Sequence, residues 1–363
     1  MGKNNYFESE RLKQLSKLND ILENELPYFC NEFFIGISMR VTPSTQLNYA
    51  RDLAVFFDFL VKKINHFYGK SINSLSLTDL DALESQHIEF YLSYLSYYVY
   101  NGRIRTNTER GKARKLSAVK SMLNYFYKRD LIQENVSIKV SSPKIHDKPI
   151  IRLDNDEIDS VLTVVEKKSK FYSQRQDNYN SELIKRDSAL LTLLLGTGIR
   201  VSECVGLNVL DIDFKNNAFK VTRKGGNISM LYFSDEVKLA LEDYIHWRNN
   251  RLLRANKIDT PALFISLQNK RITTRAVENI VKKYAKLISP LKSISPHKLR
   301  STYGTALYRE TKDIFVVAEV LGHKDVNTTK KHYAAISEDI KREASTKVQL
   351  RRQNQADNDD DSI

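Results

Sequence analysis

Three short stretches in the second half of the chain bring together residues able to hold and attack a phosphodiester. In His297-Lys298-Leu299-Arg300 a histidine and an arginine stand three residues apart, a spacing that puts both on one face of a helix. In Gly196-Thr197-Gly198-Ile199-Arg200-Val201-Ser202-Glu203 an arginine follows two glycines, with an acid three residues on. In Leu321-Gly322-His323 a histidine follows a glycine, and Tyr333 comes ten residues later. An arginine fork donates paired, charge-assisted hydrogen bonds to phosphate oxygens. Two forks on one anion would offset the extra charge of a pentavalent phosphorane without a metal ion.

Each stretch has a simpler account when taken alone. Arg200 with Glu203 could be an exposed ion pair at i, i+3. His297 with Arg300 could be no more than a helix start after Ser295-Pro296, and His323 a histidine beside a glycine turn. Tyr333 is one of 19 tyrosines, most of them packing residues. A metal held by His297, His323 and His332 is disfavoured, because no acidic ligand is helpfully placed. No metal or cofactor is expected, and no Gly-x-x-x-x-Gly-Lys-Ser/Thr phosphate loop occurs.

The elements that must position these groups are mostly helical. Thr42 and Pro43 make a helix start, the hydroxyl as N-cap and proline at the first helical position. Behind them Leu47, Ala50, Leu53, Phe57, Leu60 and Ile64 recur at steps of three and four. A second predicted helix carries Ile88, Tyr91, Leu92, Leu95 and Val99 after a short turn at Thr78, and a third carries Leu116, Val119, Leu123, Phe126 and Tyr127. With no convincing alternating strand, residues 25–141 read as a helical bundle after an N-terminal segment, 1–24. Arg103, Arg105, Arg110, Lys112, Arg114, Lys115 and Lys120 lie in and before its last helix. They are either a solvated basic face or contacts to a DNA backbone.

Ser141-Ser142-Pro143-Lys144 and Pro149 disfavour helix and place a linker at 142–150. Residues 151–345 form the second expected domain, with 346–363 as a tail ending in acidic residues. Within that domain 153–165 and 190–195 read as helix, and 166–181 as an insertion or frayed extension. Two β-like runs, 218–222 and 228–233, flank Lys224-Gly225-Gly226-Asn227 as a hairpin. Residues 237–344 read as mainly helical. The fold class is therefore mainly α with a small β-sheet.

Bulk composition narrows the partner. The chain has 363 residues, 41% hydrophobic, and a formal charge of +13. A surplus of that size favours a polyanion through phosphate neutralisation and counterion release. Two cysteines, Cys30 and Cys204, allow no disulfide framework, which fits a reducing cytoplasm. No run of about 18 apolar residues suits a membrane span, so no membrane insertion is expected.

Taken together, the order and content of the three boxes resemble the tyrosine recombinase, or phage integrase, family. The resemblance implies a helical core DNA-binding domain joined to an α+β catalytic domain as a DNA clamp. It implies catalytic roles for Arg200, Lys224, His297, Arg300, His323 and Tyr333. Tyr333 would be the nucleophile, giving a 3′-phosphotyrosyl bond, with Arg200, Arg300 and His323 on the non-bridging oxygens. Lys224 would be the general acid, unless it is only a turn lysine contacting DNA. His297 would assist proton transfer and Glu203 would orient its neighbours. The chain departs from many members in three places: Ser301 replaces a histidine, Arg223 replaces a glycine before the hairpin lysine, and His332 stands where the tyrosine often lies.

About 25 residues precede the core-binding helices, leaving little room for an arm-site domain. That favours a Xer-type enzyme resolving chromosome dimers in cell division. The polar segment before Lys185-Arg186-Asp187 and the Ser295-Pro296 lead are similar to the single-recombinase XerS-like branch. The implied assembly is a homotetramer on two double-stranded recombination sites, with an FtsK-like DNA translocase as accessory candidate. Ile336, Ile340, Ala344 and Val348 could dock on a neighbouring protomer or pack on their own domain. An integrase or transposase of a mobile element, a type IB topoisomerase and a non-catalytic DNA-binding protein remain as alternatives.

Overall fold

The computed structural model describes residues 6–146, 151–166, 183–223, 226–256 and 260–322, which divide between two compact units, Met1–Lys148 and Pro149–Ile363. The first unit comprises α1 (Tyr6–Asn24), α2 (Cys30–Ile37), α3 (Pro43–Lys63), α4 (Leu77–Asp81), α5 (Ser85–Tyr94), strands β1 (Tyr98–Tyr100) and β2 (Arg103–Arg105), and α6 (Glu109–Tyr127). Thr42 caps α3 by accepting from the Thr45 amide, with Pro43 in the first turn. Apolar faces of α2, α3, α5 and α6 enclose an aromatic core of Phe33, Phe56, Phe57, Tyr91 and Phe126, all fully buried. Burying side chains of this size is the main force holding such a bundle.

Two local expectations are corrected. The helix drawn through Val99 stops at Tyr94, and Val99 lies in β1, paired with Ile104 of β2. Asn101 and Gly102 both adopt positive φ, which is what a two-residue hairpin connection demands. The turn expected at Thr78 is α4, opened by a capping box between Ser76 and Asp79. The N-terminal segment contains α1, which buries Leu18 and Ile21 in the same core.

The second unit comprises α7 (Asn155–Glu166), α8 (Ile184–Thr197), α9 (Val201–Gly206), β3 (Ile212–Asp213), β4 (Ala218–Thr222), β5 (Ile228–Tyr232), α10 (Asp235–Arg254), α11 (Thr274–Ile288), α12 (Pro296–Thr311) and α13 (Ile314–Leu321). Its sheet has the order β3-β4-β5, antiparallel throughout, so the expected hairpin carries an additional short strand. Helix α8 is the centre of the unit, packed by α7, α10 and α12. Its buried Arg186 pairs with Asp187 at 2.7 Å, and Asp187 also accepts from the Tyr284 hydroxyl of α11 at 3.0 Å. The Leu153 amide donates to Thr302 Oγ1 at 3.1 Å, fixing the start of the unit against α12. No described helix is long and apolar enough to cross a membrane.

Candidate active site

The end of α8 sets the first wall of the site. Gly198 takes a left-handed conformation, φ +60°, and a Cβ there would lie 2.4 Å from Tyr303 Cδ1 and 3.0 Å from Leu321 Cδ2. Only glycine permits both that backbone and that approach. The chain then turns into α9 with Arg200 at the N-cap. Glu203, only 3% exposed, accepts from the Arg200 amide at 3.1 Å and from Arg200 NH1 at 2.9 Å. The simple account of these two as a surface ion pair is therefore wrong for Glu203, whose carboxylate is inside the fold.

The second wall is α12. Pro296 starts it and His297 stands exposed in its first turn. Arg300, one turn on, is 4% exposed. It donates through NH1 to the Gly198 carbonyl at 2.5 Å and through NH2 to the Leu321 carbonyl. The third wall is the end of α13, where Gly322 takes φ +60° as the helix cap. Arg200 NH2 donates to the Gly322 carbonyl at 2.9 Å.

A third guanidinium reaches the same turn. Arg223, immediately beyond β4, donates through NH1 to Leu321 O at 3.3 Å and through NH2 to Val320 O at 3.1 Å. Its NH1 also lies 3.6 Å from Glu203 Oε2. Burial pulls the Arg223 guanidinium below its ordinary range, with Glu203 opposing and Arg200 reinforcing that shift. The negative end of the α13 dipole favours cations at this position. Arg200 and Arg223 share the one buried carboxylate of Glu203, which leaves one positive charge uncompensated among these three side chains. Arg200, with 31% of its side chain exposed, could meet an incoming anion.

Arg200, Arg300 and Glu203 thus come together, with His297 on the Arg300 helix. Lys224, His323 and Tyr333 lie outside the described residues, as do the 167–182 segment, the apolar stripe from Ile336 to Val348, and the tail. Sequence reasoning noted Arg223 as a departure but gave it no partner; its contacts lie almost a hundred residues away along the chain, with no local signal.

The basic residues of the first unit divide. Arg103, Arg105 and Arg110 are exposed. Lys112 donates to Ser96 Oγ at 2.7 Å and Lys120 to the Val140 carbonyl at 2.7 Å. Arg114 pairs with Asp52 at 2.5 Å while remaining half exposed. Lys115 does not belong to a DNA-facing set: it is 6% exposed, and its ammonium lies 2.8 Å from Asp52, itself 1% exposed. A buried carboxylate needs that charge, and the ammonium is committed to it.

Comparison with known proteins identifies the family. Residues 152–339 match the phage integrase family. The chain is 32% identical over 340 residues to the tyrosine recombinase XerC of Caldanaerobacter subterraneus subsp. tengcongensis, covering 92% of this chain and 88% of that one. Its fold is similar to XerH site-specific recombinase bound to a palindromic difH substrate (TM-score 0.63, 16% identity, 95% of this chain and 91% of that one). It is also similar to the Tn1549 transposon integrase in complex with circular intermediate DNA (TM-score 0.57, 18% identity, 87% and 98%). The chain belongs to the phage integrase family and is a Xer-type tyrosine recombinase, an enzyme of DNA cleavage and religation.

Proposed function

We propose that the chain recombines specific double-stranded DNA sites through a covalent bond between the scissile phosphate and Tyr333. The observation that supports this most directly is the convergence of Arg200 and Arg300 on the carbonyls of Leu321 and Gly322, the two residues before His323. In this reading Arg200, Arg300 and His323 hold the non-bridging oxygens. The Tyr333 phenolate oxygen bonds to phosphorus as the bond from phosphorus to the 5′-oxygen breaks. The phenol proton passes to a base with His297 assisting, and the Lys224 ammonium protonates the departing 5′-oxygen. One phosphate ester replaces another, so religation is the same path reversed and needs no external energy source. Glu203 orients Arg200 rather than reacting.

The whole-length similarity to a XerC enzyme supports a cellular role in the cytoplasm, resolving chromosome dimers before division, over a mobile-element role. A homotetramer on two sites, with an FtsK-like translocase, would carry it out. The test is incubation with nicked duplexes carrying candidate chromosomal sites, followed by a detergent quench. Wild type gives a covalent protein–DNA adduct and Tyr333→Phe gives none; an undiminished adduct in that variant moves the nucleophile elsewhere. Relaxation of supercoiled plasmid without a site, in the absence of paired-site recombination, would instead favour a topoisomerase.

A further inference from the structure

We infer that Arg223 is a positioning residue for DNA cleavage, fastening the open end of the β4–β5 hairpin to the last turn of α13 and so setting where Lys224 meets the leaving oxygen. The inference rests on the reading of Lys224 as general acid. Thr222 and Ile228 are the last paired residues of the hairpin. Arg223 continues the register beyond them: its amide donates to Asn227 O at 2.7 Å and its carbonyl accepts from the Gly226 amide at 3.0 Å. Arg223 is therefore held at the end of the paired strands, and Lys224 is the next residue in the chain.

The Arg223 guanidinium is held through its two terminal nitrogens. NH1 and NH2 donate to the carbonyls of Leu321 and Val320, and Nε is buried with no hydrogen-bond partner among the described residues. The side chain is only 10% exposed. The receiving turn is shaped for it: a Cβ on Gly322 would lie 2.9 Å from Arg223 Cζ. Leu321 O accepts from Arg300 as well, and Gly322 O from Arg200. One turn is thus the common reference for the phosphate-holding arginines and for the hairpin. A glycine at position 223 would leave the hairpin end without this tie.

The experiment compares two nicked duplexes of one site: the ordinary phosphodiester, and a 5′-bridging phosphorothiolate at the cleavage position mapped with the wild-type adduct. A thiolate leaves without a proton donor, so a defect in acid catalysis disappears on the sulfur substrate. Arg223→Gln is expected to slow cleavage of the oxygen substrate about 100-fold, the low end of a general-acid contribution, and of the sulfur substrate less than about threefold. Arg223→Lys, which keeps one donor near the turn, should show the same preference for sulfur with a smaller loss, and serves if Arg223→Gln does not fold. Equal slowing on both substrates overturns the inference, because a purely structural defect cannot discriminate between leaving groups. Lys224→Ala separates the two layers. If sulfur rescues Lys224→Ala but not Arg223→Gln, the positioning role alone fails; if it does not rescue Lys224→Ala, the acid assignment fails and takes the inference with it.

Discussion

Arg200 and Arg300 donate to adjacent carbonyls of one turn, Arg200 to Gly322 and Arg300 to Leu321. They arrive from different elements, the N-cap of α9 and the second turn of α12, and that turn joins them. Arg300 also holds the Gly198 carbonyl, which ties the end of α8 to the same point.

A lysine cannot reproduce this arrangement, since it offers a point charge where the guanidinium offers a planar fork to two carbonyls at once. Arg300→Lys should lower the rate of adduct formation on nicked DNA about 100- to 1,000-fold, the range for losing one preorganised oxyanion donor. Arg300→Ala should in addition cost roughly 1–3 kcal/mol of stability, because buried carbonyls lose their donor. Single-turnover cleavage and urea denaturation of the two variants measure these effects separately. A wild-type cleavage rate in Arg300→Lys would remove Arg300 from the phosphate site.

Gly198→Ala tests the glycine that lets α8 end against α12. The left-handed backbone costs a non-glycine residue about 1–2 kcal/mol, and the methyl group would overlap the Tyr303 ring, adding about 1–3 kcal/mol of overpacking. The urea midpoint should fall accordingly, with an unchanged m-value. A midpoint within error of wild type would mean that Tyr303 and Leu321 move aside freely, and that the turn they pack against is not rigid.

Local signals account for what the sequence revealed. The Thr42-Pro43 start, the two β-like runs around Gly225-Gly226 and the helical spacing of His297 and Arg300 each depend on residues within one turn of one another. Asn101-Gly102 carried an equally local hairpin signal, but strands of three residues are too short to show alternation beside it. Helix α1 was obscured because only Leu18 and Ile21 of its 19 residues are buried, which leaves a weak apolar stripe. The Arg223 anchorage and the Asp52–Lys115 pair join residues far apart in sequence. Composition registers such residues as charges, and nothing short of the fold shows which are spent on internal partners.

Asp79 makes the first unit acid-sensitive. Partial burial pushes its carboxyl up, but hydrogen bonds from Lys70 and Ser76 and the Lys70 charge outweigh burial and bring it from 3.8 to about 2. A carboxylate whose folded value is depressed contributes stability above its unfolded value and loses it as pH falls through the folded one. That contribution should be complete above about pH 5 and gone by about pH 1. Asp79→Asn should therefore lower the melting temperature at about pH 6 and converge with wild type towards about pH 1. Parallel melting curves at every pH would show that the Lys70 and Ser76 contacts add nothing to folding.

The division among basic residues in the first unit predicts opposite behaviour for lysine and arginine variants that composition treats alike. Each phosphate contact releases condensed counterions and contributes about 0.9 to the slope of log affinity against log salt on duplex DNA. Arg105 is exposed on β2, so Arg105→Ala should reduce that slope by about one contact. Lys115→Met should leave the slope unchanged, because its ammonium lies against Asp52 inside the bundle. Its effect should fall on folding instead, together with Asp52→Ala, which strands a buried ammonium and should cost about 3–5 kcal/mol. Affinities from fluorescence anisotropy across a salt series, with urea melts of the same proteins, measure both properties. A slope reduced in Lys115→Met as much as in Arg105→Ala would mean that α6 opens on binding and delivers Lys115 to the DNA, against the packing seen around Asp52.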